Sequence, residues 1–126
     1  MAEFDVVILG GGLSGTRAAL RVAELGGKVC LIEKKTVGLK GFLRRNILMP
    51  EHNNEREKKL EKWNDYLKQK EKSAAEYSEN LEKKLKKTGI ILLKGEGSLA
   101  SQNEVLVKED NKSHLIIGKS VILAFG

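Results

Sequence analysis

A glycine-rich turn between an apolar run and an amphipathic helix is the feature that most constrains this chain. Residues 5–9 (DVVIL) are a short apolar run, which is typical of a strand buried on both faces of a parallel sheet. Three glycines follow it in the spacing GxGxxG: Gly10, Gly12 and Gly15. Residues 16–25 then show helical periodicity and end at a glycine pair, and residues 28–32 form a second apolar run. This order predicts a βαβ unit.

The spacing of the glycines indicates a turn that holds a diphosphate rather than a merely glycine-rich turn. Gly10 permits the tight turn, the missing Cβ of Gly12 lets a pyrophosphate approach the backbone, and Gly15 lets the helix pack closely on the strand. The N-terminus of the helix that follows presents free N–H groups and a partial positive charge to the phosphates. Leu13 and Ser14, within the motif, are included among the predicted contacts.

An acidic residue follows the second predicted strand. Glu33 stands at its carboxyl end, where a carboxylate can accept hydrogen bonds from an adenosine ribose and disfavours a 2′-phosphate by charge repulsion. Lys34 follows it and is included among the predicted contacts. The motif therefore predicts an adenine dinucleotide as the ligand, and by itself it does not distinguish FAD from NAD.

A long helix and several short strands make up the rest of the chain. Residues 34–50 are basic and loop-like, and residues 53–87 read as one helix that covers the sheet or, alternatively, contacts a second copy of the chain. Its apolar stripe is interrupted by Lys70 and Lys84 and comprises Leu60, Trp63, Leu67, Ala74, Tyr77 and Leu81. The predicted strands that follow are residues 90–93, 95–99, 105–107, 114–117 and 121–126, with a hairpin turn at 109–112.

Composition narrows the function classes further. The formal net charge is +6, but the lysines of the long helix alternate with glutamates, which describes a solvated helix face better than a nucleic-acid surface. No apolar run approaches the roughly 20 residues of a transmembrane helix, and the acidic N-terminus is unlike a signal peptide. We therefore expect a cytoplasmic protein with no nucleic-acid or membrane partner.

Candidate catalytic groups are scarce. The single cysteine, Cys30, lies in an apolar run and is expected to be a buried thiol, unable to form an internal disulfide or a cysteine-only metal site. His52 lies in a polar loop and His114 begins a predicted strand, and both are expected to have no catalytic role. We predict no catalytic residue and no metal site in these residues.

Two stretches of this chain, residues 5–34 and 89–126, resemble the N-terminal FAD domain of the pyridine nucleotide-disulfide oxidoreductases, the family of dihydrolipoamide dehydrogenase and mercuric reductase. The resemblance implies a Rossmann-like three-layer α/β domain over residues 1–126, with a parallel sheet, an inserted antiparallel β-meander and a sheet incomplete at its C-terminus. It also implies FAD as the cofactor. By motif, the additional contacts would come from the backbone of Glu96 and Gly97 at the adenine and from Ala124 and Gly126 beside the cofactor.

The chain also departs from the family pattern. Gly41 and Asn46 occupy the positions of the redox-active cysteines, and Phe125 replaces the threonine of an Ala-Thr-Gly triplet. The resemblance implies that this chain is the N-terminal, FAD-binding portion of a longer NAD(P)H-linked flavin oxidoreductase. NAD(P)H is then expected to bind to a downstream domain. The alternative is a degenerate, non-catalytic nucleotide-binding or assembly module that uses the long helix as its interaction surface.

Overall fold

The computed structural model describes residues 2–35, 37–38 and 56–125, which form six strands and two helices. Apolar runs become strands and the two periodic segments become helices, as their sequence patterns predict. In chain order the elements are β1 (Ala2–Leu9), α1 (Leu13–Glu24), β2 (Val29–Glu33), α2 (Arg56–Lys87), β3 (Ile91–Lys94), β4 (Glu96–Leu99), β5 (Glu104–Glu109) and β6 (Lys112–Leu123).

The strands form one sheet in the order β3-β2-β1-β6-β5-β4. The first four of these strands are parallel, with β1 between β2 and β6, whereas β4, β5 and the first half of β6 form an antiparallel meander. Strand β6 belongs to both parts: Lys112–Ile117 pairs with β5, and Ile116–Leu123 pairs with β1. This topology brings the carboxyl ends of β1, β2 and β6 to one edge of the sheet.

Apolar side chains cover both faces of the parallel strands. On one face, Ile8 and Leu31 pack with Ala19 of α1 and Leu85 of α2. On the other face, a second buried cluster joins the sheet to the meander and consists of Phe4, Val7, Leu9, Cys30, Ile32, Val105, Val107 and Ile116. The result is three layers, with helices on one face and the meander on the other, which confirms the predicted fold class.

Several element boundaries differ from the sequence-based prediction. Strand β1 begins at Ala2, three residues before the predicted Asp5. Helix α1 begins at Leu13, three residues before the predicted Thr16, because glycine at a helix start does not prevent the first turn from forming. The predicted strands 114–117 and 121–126 are joined in one continuous strand that ends at Leu123. It runs through the exposed Lys119 and Ser120 and pairs with β1 on both sides of Lys119.

Two predicted buried strands are only partly buried. Strand β3 is the edge of the sheet, and its Ile91 is 46% exposed. At the end of β6, Leu123 is 53% exposed. The two apolar runs therefore predicted the strands correctly but not how deeply they are buried. Whether a strand lies at the edge of a sheet depends on the topology and not on the local sequence.

The long helix α2 contacts the sheet through its second half. Among the side chains of α2 that the structure describes, those of Ala74, Ser78 and Leu85 are buried, and Leu81 is half-buried beside them. The predicted stripe was correct at Ala74 and Leu81 but missed Ser78 and Leu85. Leu67 is half-buried, and the side chains of Leu60 and Trp63 lie outside the described residues.

Candidate dinucleotide site

The glycine turn lies at the carboxyl ends of β1 and β2. The Gly10 N–H donates to the carbonyl oxygen of Ile32 at 2.9 Å, so the first residue after β1 is still hydrogen-bonded to β2. Gly10 has φ +112°, and a Cβ at this position would run into the carbonyl oxygen of Ala124. Ala124 in turn donates its N–H to the carbonyl oxygen of Leu9 at 2.8 Å. Only glycine therefore fits the turn, and Ala124 lies directly beside it.

Helix α1 begins in this turn and packs tightly on it. A Cβ on Gly15 would collide with the carbonyl oxygen of Gly10, so packing requires glycine at the third glycine position of the motif. Gly12 is the N-cap, with φ −77°, and a Cβ there would meet no atom within 4 Å. The backbone at Gly12 therefore faces open space, whereas the backbone at Gly15 faces the sheet.

The first turn of α1 offers donors to an anion. Within the described residues no side chain caps this terminus, and the turn contains no acidic residue. Thr16 Oγ1 donates to the carbonyl oxygen of Gly12 at 2.8 Å, so its hydroxyl is used inside the helix. Leu13 is half-buried and Ser14 is exposed. Because the first N–H groups of a helix lack intrahelical acceptors, this end of α1 is suited to a phosphate.

Glu33 ends β2 beside the glycine turn. One carboxylate oxygen, Oε2, accepts a hydrogen bond from the Gly11 N–H, and the other, Oε1, accepts one from the Lys35 N–H at 3.0 Å. A carboxylate has about four acceptor positions, so two backbone donors leave capacity for ribose hydroxyls. The half-buried side chain is thus held at the turn by backbone donors.

The start of β4 completes this edge of the sheet. The Gly95 N–H donates to the carbonyl oxygen of Glu33 at 3.0 Å, and a Cβ on Gly97 would lie 3.3 Å from Cγ2 of Ile32. Lys34 Nζ and Glu96 Oε1 are 3.8 Å apart, with side chains 65% and 66% exposed. Such an exposed pair contributes about 0–1 kcal/mol, and here it bridges β2 and β4 beside the site.

The structure thus brings together the described residues that the sequence assigned to the site. They are Gly10, Gly12, Leu13, Ser14, Gly15, Glu33, Lys34, Glu96, Gly97 and Ala124, and Gly126 lies outside the described residues. Sequence reasoning missed Val37 and Gly38, which contact the turn through a 2.7 Å hydrogen bond from the Gly38 N–H to the carbonyl oxygen of Gly11. It also missed Ser78, although a polar residue between Ala74 and Leu85 on one helix face was a signal for it.

Two reactive side chains among the described residues, those of Cys30 and His114, lie apart from this edge. Cys30 is fully buried in the sheet, and burial raises the pKa of its thiol to about 12. His114 Nε2 lies 3.8 Å from Glu109 Oε2 in the meander. Gly41, Asn46 and His52 lie outside the described residues. No cluster of three metal-ligating side chains occurs in the part of the chain that the structure describes.

A groove of about 400 Å³ lies at the opposite edge of the sheet, where β1 begins. It contains Asp5, which accepts a 2.7 Å hydrogen bond from the Lys28 N–H and lies 3.2 Å from Lys119 Nζ. The Lys28 N–H, and then the Lys119 ammonium, lower the pKa of Asp5 from its ordinary 3.8.

No helix in the described ranges 2–35, 37–38 and 56–125 is long and apolar enough to cross a membrane.

The three layers and the glycine turn define an α/β domain of the dinucleotide-binding class. A family model described as pyridine nucleotide-disulphide oxidoreductase matches residues 4–126. The chain therefore belongs to the pyridine nucleotide-disulphide oxidoreductase family, in agreement with the resemblance seen in its sequence.

Individual relatives agree with this assignment. The chain is 56% identical over 36 residues to a dihydrolipoyl dehydrogenase of Bacillus subtilis, and 47% identical over 36 residues to one of Acholeplasma laidlawii. Each match covers 29% of this chain, and 8% and 11% of the respective relative. The chain thus spans a small part of the relatives it matches.

A solved structure extends the likeness to the whole fold. The Cu(II) complex of the HOCl-induced flavoprotein disulfide reductase RclA from Escherichia coli superposes with a TM-score of 0.75. The alignment covers 100% of this chain and 29% of that chain, at 16% sequence identity. At this identity the likeness concerns the fold alone.

Proposed function

We propose that residues 1–126 are the FAD-binding domain of an NAD(P)H-linked flavin oxidoreductase that resembles dihydrolipoamide dehydrogenase. The observation that carries this proposal is the juxtaposition of the glycine turn, the uncapped N-terminus of α1 and the Glu33 carboxylate at one edge of the sheet. Family membership over residues 4–126 and the fold of a flavoprotein disulfide reductase favour FAD over NAD as the nucleotide.

The residues present fit the ADP half of FAD. The first turn of α1 would donate N–H hydrogen bonds to the pyrophosphate across the open space at Gly12, and Glu33 would accept hydrogen bonds from the ribose. The backbone at Glu96 and Gly97 would border the adenine, while Ala124 and Gly126 would lie toward the rest of the cofactor. When bound, FAD supplies the hydride chemistry, and these residues bind and orient it.

The electron acceptor in this proposal is not a disulfide within this chain. The sequence contains a single cysteine, and that cysteine is buried with a raised pKa. A redox-active pair needs two thiols of which at least one is accessible as a thiolate. We therefore expect NADH-dependent reduction of an acceptor by the full-length protein, with NAD(P)H bound outside residues 1–126, and no reduction of lipoamide.

Cofactor analysis of the purified full-length protein tests the proposal. The expected result is a yellow protein with flavin absorbance that NADH bleaches, and tighter binding of added FAD than of NAD in titrations of the nucleotide-free protein. A protein that binds NAD more tightly would reassign the cofactor. A colourless protein that binds neither nucleotide would favour the alternative of a non-catalytic assembly module.

A further inference from the structure

A buried hydrogen-bonded connection runs from the long helix α2 to the glycine turn. Ser78 of α2 is 1% exposed, and its Oγ donates to the carbonyl oxygen of Val37 at 2.6 Å. The adjacent Gly38 donates its N–H to the carbonyl oxygen of Gly11 at 2.7 Å. Two short hydrogen bonds and one peptide unit therefore join the helix to the turn.

Packing leaves segment 37–38 little room to shift. The side chain of Val37 is 2% exposed, and a Cβ on Gly11 would lie 2.9 Å from its Cγ1. On the other side, Gly38 has φ +72°, and a Cβ there would lie 2.8 Å from Cδ2 of Leu81 and 3.0 Å from Cε1 of Tyr77. The segment is thus enclosed between α2 and the glycine turn.

The serine at this position is explained by its hydrogen bond. Its buried neighbours along the helix are Ala74 and Leu85, both 0% exposed, so the hydroxyl is removed from water and requires a partner. Serine also stabilises a helix less than alanine does, so helix propensity does not favour it here. The bond to Val37 meets the hydroxyl's requirement and fixes where segment 37–38 lies.

We propose that Ser78 is a positioning residue for the nucleotide site, an inference that rests on the proposed function. By holding Val37 and Gly38 in place, it fixes the Gly11 carbonyl, while the Gly11 N–H is bound by Glu33. The backbone carbonyl and the backbone N–H of Gly11 are then both held in the turn that would receive the diphosphate. The long helix thereby pre-organises the turn and the ribose-binding acid together.

Ser78→Ala in the intact protein tests this role, since alanine removes the hydroxyl and keeps the helix. We expect FAD affinity to fall about three- to tenfold, as a hydrogen-bonded support is lost without a direct ligand contact. In the nucleotide-free protein, amide hydrogen exchange at Gly38 should become faster. Ser73→Ala, an exposed serine on the same helix, should change neither quantity.

A second control separates positioning from general loss of stability. Leu85→Val shortens a buried side chain of α2 without touching the hydrogen bonds, and it should lower the melting temperature while leaving FAD affinity unchanged well below that temperature. The inference is wrong if Ser78→Ala binds FAD like the wild type, or if Leu85→Val weakens binding equally. Failure of the proposed function itself would instead appear as a wild-type protein that binds neither FAD nor NAD.

Discussion

Adding one methyl group at two glycines of the motif should have opposite consequences. At Gly12 a Cβ would meet no atom within 4 Å, whereas at Gly15 it would collide with the carbonyl oxygen of Gly10. The two substitutions, Gly12→Ala and Gly15→Ala, are therefore chemically identical but structurally distinct. They separate the requirement for an open ligand site from the requirement for close helix packing.

The expected magnitudes follow from these surroundings. At Gly12, φ is −77°, which alanine adopts, so restriction of the unfolded chain stabilises by about 0.4–1 kcal/mol and offsets a similar loss in N-cap preference. The free energy of unfolding should then stay within about 1 kcal/mol of the wild type. At Gly15 the obstructing atom belongs to the backbone, and overpacking of this kind costs about 1–3 kcal/mol or more.

Nucleotide affinity should show the reverse order. A methyl group at Gly12 would occupy the approach of the pyrophosphate to the helix N-terminus, and loss of hydrogen bonds to a charged group costs about 1.5–3 kcal/mol, or roughly 10- to 150-fold in affinity. Thermal unfolding without nucleotide and FAD titration by calorimetry measure the two effects. Wild-type FAD affinity in Gly12→Ala, or destabilisation equal to that of Gly15→Ala, would refute this reasoning.

Three further substitutions or treatments probe the same structure. Glu33→Ala should weaken FAD binding by about 1–3 kcal/mol in a calorimetric titration, through loss of charge-assisted hydrogen bonds, and unchanged affinity would exclude a ribose contact. Because the pKa of Asp5 is lowered in the folded protein, its stabilisation is complete above pH 3.8 and is lost as the pH falls through the lowered value. Asp5→Asn should therefore flatten the acid-induced fall in unfolding free energy below pH 3.8, and parallel curves for both proteins would contradict the assignment. Cys30, with its pKa raised to about 12, should resist a thiol reagent at pH 8 until the protein is unfolded, so rapid labelling of the native protein would show that the thiol is accessible.

Local sequence patterns were sufficient for the βαβ unit and its glycine turn. An apolar run, a glycine spacing and a helical period each specify local geometry, and together they place Gly10 and Glu33 at the same sheet edge. The short strands around the predicted hairpin turn at residues 109–112 indicated the antiparallel meander, and the resemblance to a family added its place in a three-layer domain. These contributions explain why the three-layer fold and the clustering of the site residues were both predictable.

Other features depend on contacts between distant residues. The continuity of β6 could not be inferred because Lys119 and Ser120 interrupt its apolar pattern, although the strand runs through both and pairs with β1 on either side of Lys119. The register of α2 was similarly ambiguous, since apolar residues and lysines share its heptad positions. The role of Ser78 depends on Val37, which is distant in sequence, and no local pattern connects the two.

The pairing of β1 with β6 has a consequence for how the domain folds. Among the strands that the structure describes, β1 leaves the ribosome first, and it acquires its second neighbour only when residues 116–123 have been synthesised. Its early partner is β2, and the central hydrogen-bonded ladder joins residues 2–9 to residues 116–123. Such a high contact order favours slow folding. Until β6 has been synthesised, the backbone N–H and C=O groups on one side of β1 lack their strand partner and are available to chaperones or to neighbouring chains.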